Sequence, residues 1–265
     1  MKYLILNGSP NKNGNTWKVV QQAKAFLQAE DAASFHEIHL IDEGLPFCLG
    51  CSACFRLGHE RCPHSAGMGT LIQAIEEADG VIVASSAFNM RETALLKNVF
   101  DHLCFMLHRP HFFKSKAMVI TTVGGVGGRA AARSIVSFLK GIGFNRCYPF
   151  SVVTFSWNDY RITEKTKAKL KKVTDAFRRD VASRRLHSPS AAVLIPYNLF
   201  RGMSLHYAKG TEYETHDGVH WLDEQRKHSV YDNAVSVPFY KRMIGHLFYR
   251  IGKLAGKKTT VTYKK

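Results

Sequence analysis

Residues 2–16 read Lys2-Tyr3-Leu4-Ile5-Leu6-Asn7-Gly8-Ser9-Pro10-Asn11-Lys12-Asn13-Gly14-Asn15-Thr16. Tyr3–Asn7 is a short apolar run of the kind that forms a strand buried on both faces. A polar loop bearing glycine and proline follows, and helical spacing then holds from Thr16 to Ala29. The same passage repeats down the chain. Strands are expected at Tyr3–Asn7, Glu37–Ile41, Gly80–Ser85, Ala117–Val123 and Tyr148–Phe155. Helices are expected at Thr16–Ala29, Gly69–Ala78, Glu92–Met106, Gly128–Gly141 and Glu164–Arg185. This alternation predicts an α/β domain over residues 1–185: a doubly wound five-stranded parallel sheet with helices on both faces. In such a domain ligands bind outside the carboxyl ends of the strands, so the loops that follow strands are the ones to read.

From Leu186 the alternation stops, and Pro189-Ser190 marks the start of an extension, 186–265. Its clearest element is an amphipathic basic helix, Phe239–Ala255, with Ser236 as a cap and Pro238 in the first turn. Phe239, Met243, Leu247 and Ile251 recur every four residues, with Lys241, Arg242, His246, Arg250 and Lys253 on the other side. This stripe is expected to pack on the sheet domain or on a second subunit, ahead of lying on an anionic membrane. The net charge is +16 over 265 residues, but residues 1–160 carry only +3 and the remainder +13. The charge therefore belongs to the last helix of the sheet domain and to the extension. No nucleic-acid motif accompanies it, so nucleic acid is not expected as a partner. With 45% hydrophobic and 22% charged residues the chain is far from the disordered class. No signal peptide or spanning segment is legible, which makes the cytoplasm the expected location.

Three loops carry candidate chemistry. In the first, Ser9, Asn11, Gly14, Asn15 and Thr16 precede a helix, whose first N–H groups and dipole favour an anion. The loop lacks the Gly-Lys-Ser/Thr ending of a nucleotide-triphosphate loop and lacks Gly-x-Gly-x-x-Gly. It suits a phosphomonoester held by neutral donors, and it reads equally well as an ordinary connection capped by Asn15 or Thr16. The second loop is Ser85-Ser86-Ala87-Phe88-Asn89, followed by Thr93, Lys97 and Asp101 on a helix. The third is Thr122-Val123-Gly124-Gly125-Val126-Gly127-Gly128, where bare backbone can meet a planar ring or serve as a flexible turn.

Taken together, Gly8-Ser9-Pro10…Gly14-Asn15-Thr16, Ser85-Ser86-Ala87-Phe88…Thr93…Leu96-Lys97…Asp101-His102 and Thr122…Gly124-Gly125 resemble the NAD(P)H-dependent FMN reductases and iron–sulfur flavoproteins of the flavodoxin-like superfamily. The resemblance covers roughly residues 1–180. It implies FMN, with phosphate at Ser9, Asn11, Gly14, Asn15 and Thr16. The isoalloxazine ring would lie between Ser86, Ala87, Phe88 and Asn89 on one side and Thr122, Gly124 and Gly125 on the other. It implies NAD(P)H as electron donor and a homodimer or homotetramer. This chain departs from the family pattern in three places, with Ser86 for proline, Phe88 for tyrosine and His102 for arginine.

A cysteine-rich insertion occupies residues 46–66. Cys48, Cys51, Cys54 and Cys62 have the spacing C-x2-C-x2-C-x7-C, with Pro63 next. In a reducing compartment these are thiols fit to hold a metal. A compact run followed by a distant Cys-Pro resembles iron–sulfur ligation, and the iron–sulfur flavoproteins carry a cysteine run in this insertion, with a shorter last gap. A mixed zinc site with His59 or His64, or no metal, remains open on the spacing. Cys104 and Cys147 read as buried hydrophobes.

Three functions follow. The leading one is an oxidoreductase passing electrons from NAD(P)H through FMN to a quinone, nitro compound, metal or protein. In the chain's own groups no catalytic acid or base is expected, because the hydride chemistry belongs to the cofactor. The second is an electron-transfer flavoprotein with a [4Fe–4S] cluster at Cys48, Cys51, Cys54 and Cys62. The third is a flavin-binding module that docks through its C-terminal helix.

Overall fold

The structure is a computed structural model that describes residues 1–30, 32–224 and 226–258; the last seven residues of the extension, 259–265, lie outside the described residues. Five strands, β1 (Lys2–Asn7), β2 (Ser34–His39), β3 (Gly80–Ser86), β4 (Lys116–Val123) and β5 (Arg146–Val153), form one parallel sheet in the order β2-β1-β3-β4-β5. The helices are α1 (Asn15–Glu30), α2 (Ala53–Arg56), α3 (Ser65–Glu77), α4 (Ala94–His102), α5 (Gly128–Gly141), α6 (Glu164–Ser183), α7 (Ala191–Met203), α8 (His216–Leu222) and α9 (Phe239–Lys258). This is the doubly wound flavodoxin-like sheet that the alternation predicts, with the C-terminal helix in place.

Strand side chains alternate between two cores. Leu4, Leu6, Val81, Val83, Ala117 and Val119 face α3, α4 and α5, through Leu71, Ile75, Leu96, Val99, Ile135 and Leu139. Tyr3, Ile5, Ile82, Ala84, Met118 and Ile120 face α1 and α6, through Val19, Val20, Ala23, Leu27, Leu170 and Phe177. Every residue of β4 is buried, as expected for an inner strand of a covered sheet. Lys116 is reconciled with that burial by the Asp180 carboxylate at 3.1 Å, which also accepts from His187 and from the Tyr148 hydroxyl.

Several boundaries shift by a few residues, α3 starting at Ser65 and β5 running over Arg146–Val153 among them, and two of the shifts have clear physical reasons. β2 starts three residues before and ends two residues before the apolar run Glu37–Ile41, because it can run only as far as its partner. Asn7 pairs with His39, and Leu40 N–H donates to the Asn7 carbonyl as the chain turns away. The fourth helix starts at Ala94, with Thr93 as its cap, and gives way at Leu103 to a 3-10 turn over Cys104–Leu107.

The extension has its own small core of Leu194, Tyr197, Trp221, Tyr231 and Val235. α7 forms despite Pro196 in its interior, with the Asn198 amide donating to the Leu194 and Val230 carbonyls. α9 corrects the expected packing. Its buried residues are Gly245, Gly252 and Gly256, which lie on α7 and the turn after it, while Phe239, Met243, Leu247 and Ile251 are exposed. A Cβ on Gly252 would run into the Leu199 carbonyl, and one on Gly202 into the Tyr249 carbonyl, so the two helices meet backbone to backbone. The stripe expected to pack on the sheet domain faces away from it.

The extension is tied to the sheet domain by the His187–Asn145 hydrogen bonds, by Phe113 packed on Tyr197 and Tyr231, and by a buried ion-pair cluster. Asp217 at the start of α8 pairs with Arg109 and, at 2.8 Å, with His108, and the Trp221 indole N–H donates to the His108 carbonyl at 3.0 Å.

Candidate functional site

β1, β3 and β4 are neighbours in the sheet, so the loops leaving their carboxyl ends stand side by side. Hydroxyls stitch them together. Ser9 Oγ lies 3.0 Å from Ser86 Oγ, Ser86 Oγ 3.0 Å from Thr16 Oγ1, and Thr16 Oγ1 2.7 Å from Thr122 Oγ1. The departure from proline at position 86 thus supplies the hydroxyl at the centre of this chain. Thr93 braces the group from α4. Its hydroxyl donates to the Gly8 carbonyl at 2.5 Å and its N–H donates to Ser85 Oγ at 3.1 Å. Gly8 is required by close approach, since a Cβ there would stand 2.8 Å from the Leu96 Cβ.

A fourth loop, after β5, joins the other three, and the sequence reading passed over it. The Asn15 amide donates to the Ser156 and Trp157 carbonyls at 2.9 and 3.1 Å and accepts from Tyr160 N–H. Asn11 donates to Asn158 Oδ1 at 3.0 Å, and Lys18 to the Asn158 carbonyl at 2.7 Å. Asn11 and Asn15 therefore clamp two loops together, while Ser9 and Thr16 belong to the hydroxyl chain. The signal that would have found Ser156–Asn158 was present, a polar turn directly after a strand.

The second and third loops lie side by side. Phe88 and Arg91 exchange backbone hydrogen bonds of 3.0 and 2.9 Å around Asn89 and Met90, whose φ angles are +50° and +62°. Ala87 N–H donates to the Thr122 carbonyl at 2.8 Å. Gly127 has φ +92° and approaches Met90 so closely that a Cβ would lie 2.6 Å from its Cγ. Gly124 and Gly125 differ, because a Cβ on either would meet nothing within 4 Å. Phe88, Met90, Val126, Phe155 and Trp157 on these loops are exposed. Neutral hydroxyls beside a helix N-terminus suit a phosphomonoester, and open glycine backbone beside exposed aromatics suits a flat ring.

The cysteine insertion lies at the other end of α4. Asn98 donates to the Leu45 and Pro46 carbonyls and accepts from Cys48 N–H at 3.2 Å. His102 holds the Asn98 carbonyl with one ring nitrogen and His64 with the other, at 2.9 and 3.1 Å. Arg109 donates to the Cys54 carbonyl at 2.8 Å, so the anchor that holds the extension also holds this loop. Cys48, Cys51, Cys54 and Cys62 line one small cavity together with His64, His102 and Cys104. Cys104 is thus half-buried beside the cluster rather than a core residue. Its hydrogen bond to Cys54 lowers the Cys54 thiol to about 7, and the same bond, with burial, raises Cys104. Burial pushes Cys147, packed on the core away from this loop, up to about 12. Among the described residues no three His, Cys, Asp or Glu side chains are drawn together as a ready ligand set. α4 thus connects the two regions, with Thr93 at the loops and Asn98 and His102 at the cysteine insertion.

Comparison with known proteins bears on the family and the fold. The chain is 29% identical over 175 residues to an iron–sulfur flavoprotein of Clostridioides difficile (strain 630), covering 65% of this chain and 76% of that protein. It is 30% identical over 127 residues to an iron–sulfur flavoprotein of Archaeoglobus fulgidus, covering 48% and 56%. Among solved structures, the apo form of the NADH:FMN oxidoreductase EMOB shares the fold with a TM-score of 0.50 at 23% identity, over 72% of this chain and 92% of that one. The family profile of NADPH-dependent FMN reductases matches residues 1–156, the sheet domain and all four loops up to Ser156. The chain therefore belongs to the NADPH-dependent FMN reductase family, as an FMN-dependent NAD(P)H oxidoreductase.

Proposed function

We propose that the hydroxyl-lined junction of the first, second and third loops seats the FMN phosphate and that the slot between Ser86–Asn89 and Thr122–Gly125 seats the ring. The observation that carries this reading is the convergence of the Ser9, Ser86, Thr16 and Thr122 hydroxyls, which now bond to one another and can turn their O–H groups to an anion that binds among them. FMN, when bound, supplies the redox chemistry, taking hydride from NAD(P)H and passing electrons to a second acceptor. The chain's part is to orient it. Thr93 and Asn15 hold the loops, and the glycine backbone offers N–H groups to the ring edge. The second acceptor is a quinone, nitro compound, metal ion or protein. The exposed Phe88, Met90, Val126, Phe155 and Trp157 support a homodimer or homotetramer in which a second subunit covers this rim. Six free thiols fit a reducing, cytoplasmic setting. A yellow preparation that releases FMN and is bleached by NAD(P)H is the expected result. A colourless protein that takes up no added FMN would sink the reading.

A second reading rests on the cysteine cavity. Cys48, Cys51, Cys54 and Cys62 on one small cavity, in a chain whose relatives are named iron–sulfur flavoproteins, support a [4Fe–4S] cluster there. Anaerobic iron and sulfide analysis tests it, and absence of both after reconstitution rules it out.

A further inference from the structure

The glycine seam fixes which way α9 faces. Gly245, Gly252 and Gly256 must lie inward for α7 and α9 to approach, so the opposite side of the helix is turned outward. That side carries Phe239, Tyr240, Met243, Leu247, Ile251 and Leu254, of which Phe239 is 78% exposed and Leu254 63%. An apolar arc this long on the outside of a water-facing helix marks a docking surface. Along one border runs a row of four exposed cations, Arg242, Arg250, Lys253 and Lys257, with the exposed His246 between the first two. Residues 239–258 contain no Asp or Glu at all.

We propose that this face docks the protein on an anionic phospholipid surface, with the helix lying in the interface and the Phe239–Leu254 arc immersed. The charge selects the occupant. A second copy of the chain laid across the same arc would set one cationic row against another. A sheet of anionic headgroups complements the row while the acyl boundary receives the apolar arc. Weak apolar insertion and weak electrostatic attraction become stable attachment when both act. Among the described residues no helix is long and apolar enough to cross a membrane, so α9 lies on the surface and does not span it. The cysteine insertion and the flavin slot would travel with it, since Asp217 holds the extension to Arg109 and Arg109 holds Cys54.

The test is flotation of the full-length, FMN-loaded protein with vesicles of phosphatidylcholine and phosphatidylglycerol, three parts to one, against vesicles of phosphatidylcholine alone. Flotation with the anionic vesicles, and about tenfold less with the neutral ones, is expected. Leu247→Glu with Leu254→Glu should abolish it. Arg242→Gln with Arg250→Gln and Lys253→Gln should weaken it about tenfold while leaving the apolar arc intact. Both variants change exposed positions, and unchanged melting shows that each is folded. Failure of the wild type to float, or flotation of either folded variant like the wild type, overturns the proposal. A concentration-dependent dimer that L247E/L254E disrupts, with no vesicle binding, also overturns it and assigns the face to a second copy.

Discussion

Thr16 sits where three loops meet, and its hydroxyl is the shared partner of Ser86 and Thr122. Thr16→Val keeps the shape and removes that partner. We expect FMN affinity to fall about tenfold, as when one buried polar contact is lost, measured by quenching of flavin fluorescence during titration. Asp180 is the matching residue for stability. Burial would raise its carboxyl, but hydrogen bonds from His187, Tyr148 and Lys116 outweigh it and hold the pKa below the usual carboxylate value. Its contribution is therefore complete above that value and is lost as the pH falls through the lowered one. Asp180→Ala leaves the buried Lys116 ammonium unpaired and should cost about 3 kcal/mol in denaturant unfolding. Pairing it with Lys116→Met should restore most of the loss. At this scale the sequence was partly legible. Ser9, Thr16, Ser86 and Thr122 stand out as small polar residues after strands, and the structure brings them together. The clamping of Asn11 and Asn15 by Asn158 and Ser156 was not legible, because it depends on a strand far away in the chain.

At the level of elements, the inner strands declare themselves through runs such as Val81-Ile82-Val83 and Met118-Val119-Ile120, since burial on both faces demands unbroken apolar sequence. β2 is an edge strand with His36 and Glu37 in it, and its ends follow from pairing with β1 rather than from its own composition. α7 was hidden by Pro196. α9 was visible, but its apolar periodicity pointed to the wrong inner face, because a helix that packs through glycines buries backbone rather than large side chains. That packing yields a sharp expectation. Gly252→Val would push α9 off the Leu199 carbonyl and should destabilise the extension by about 3 kcal/mol, seen as an earlier thermal transition. FMN binding should be unchanged, since α9 packs on α7 and the turn after it.

Across the whole molecule, the buried Arg109–Asp217 cluster is one of the ties between extension and sheet domain, and histidines surround it. Burial lowers His220 to about 3 and also depresses His216. A histidine whose pKa is lower folded than unfolded adds stability that is complete above about 6.5 and fades as the pH falls toward the folded value. Between pH 6.5 and about 3, His220 alone should contribute a slope approaching about 1.4 kcal/mol per pH unit, which His220→Gln should remove from denaturant midpoints compared at pH 7 and pH 5. The three tryptophans happen to divide along the same lines. Trp157, 95% exposed on the loop that Asn15 grips, emits toward the red and meets acrylamide freely, whereas Trp221, in the core of the extension, emits toward the blue and is shielded. Trp17 stands half-buried with its ring 4.5 Å from that of His39. Because flavin absorbs where tryptophan emits, the protein carries its own optical reporters. FMN arriving at the proposed site is expected to dim the red, quenchable fluorescence and loosening of the extension to move the blue component, so one unlabelled emission spectrum should separate the two events.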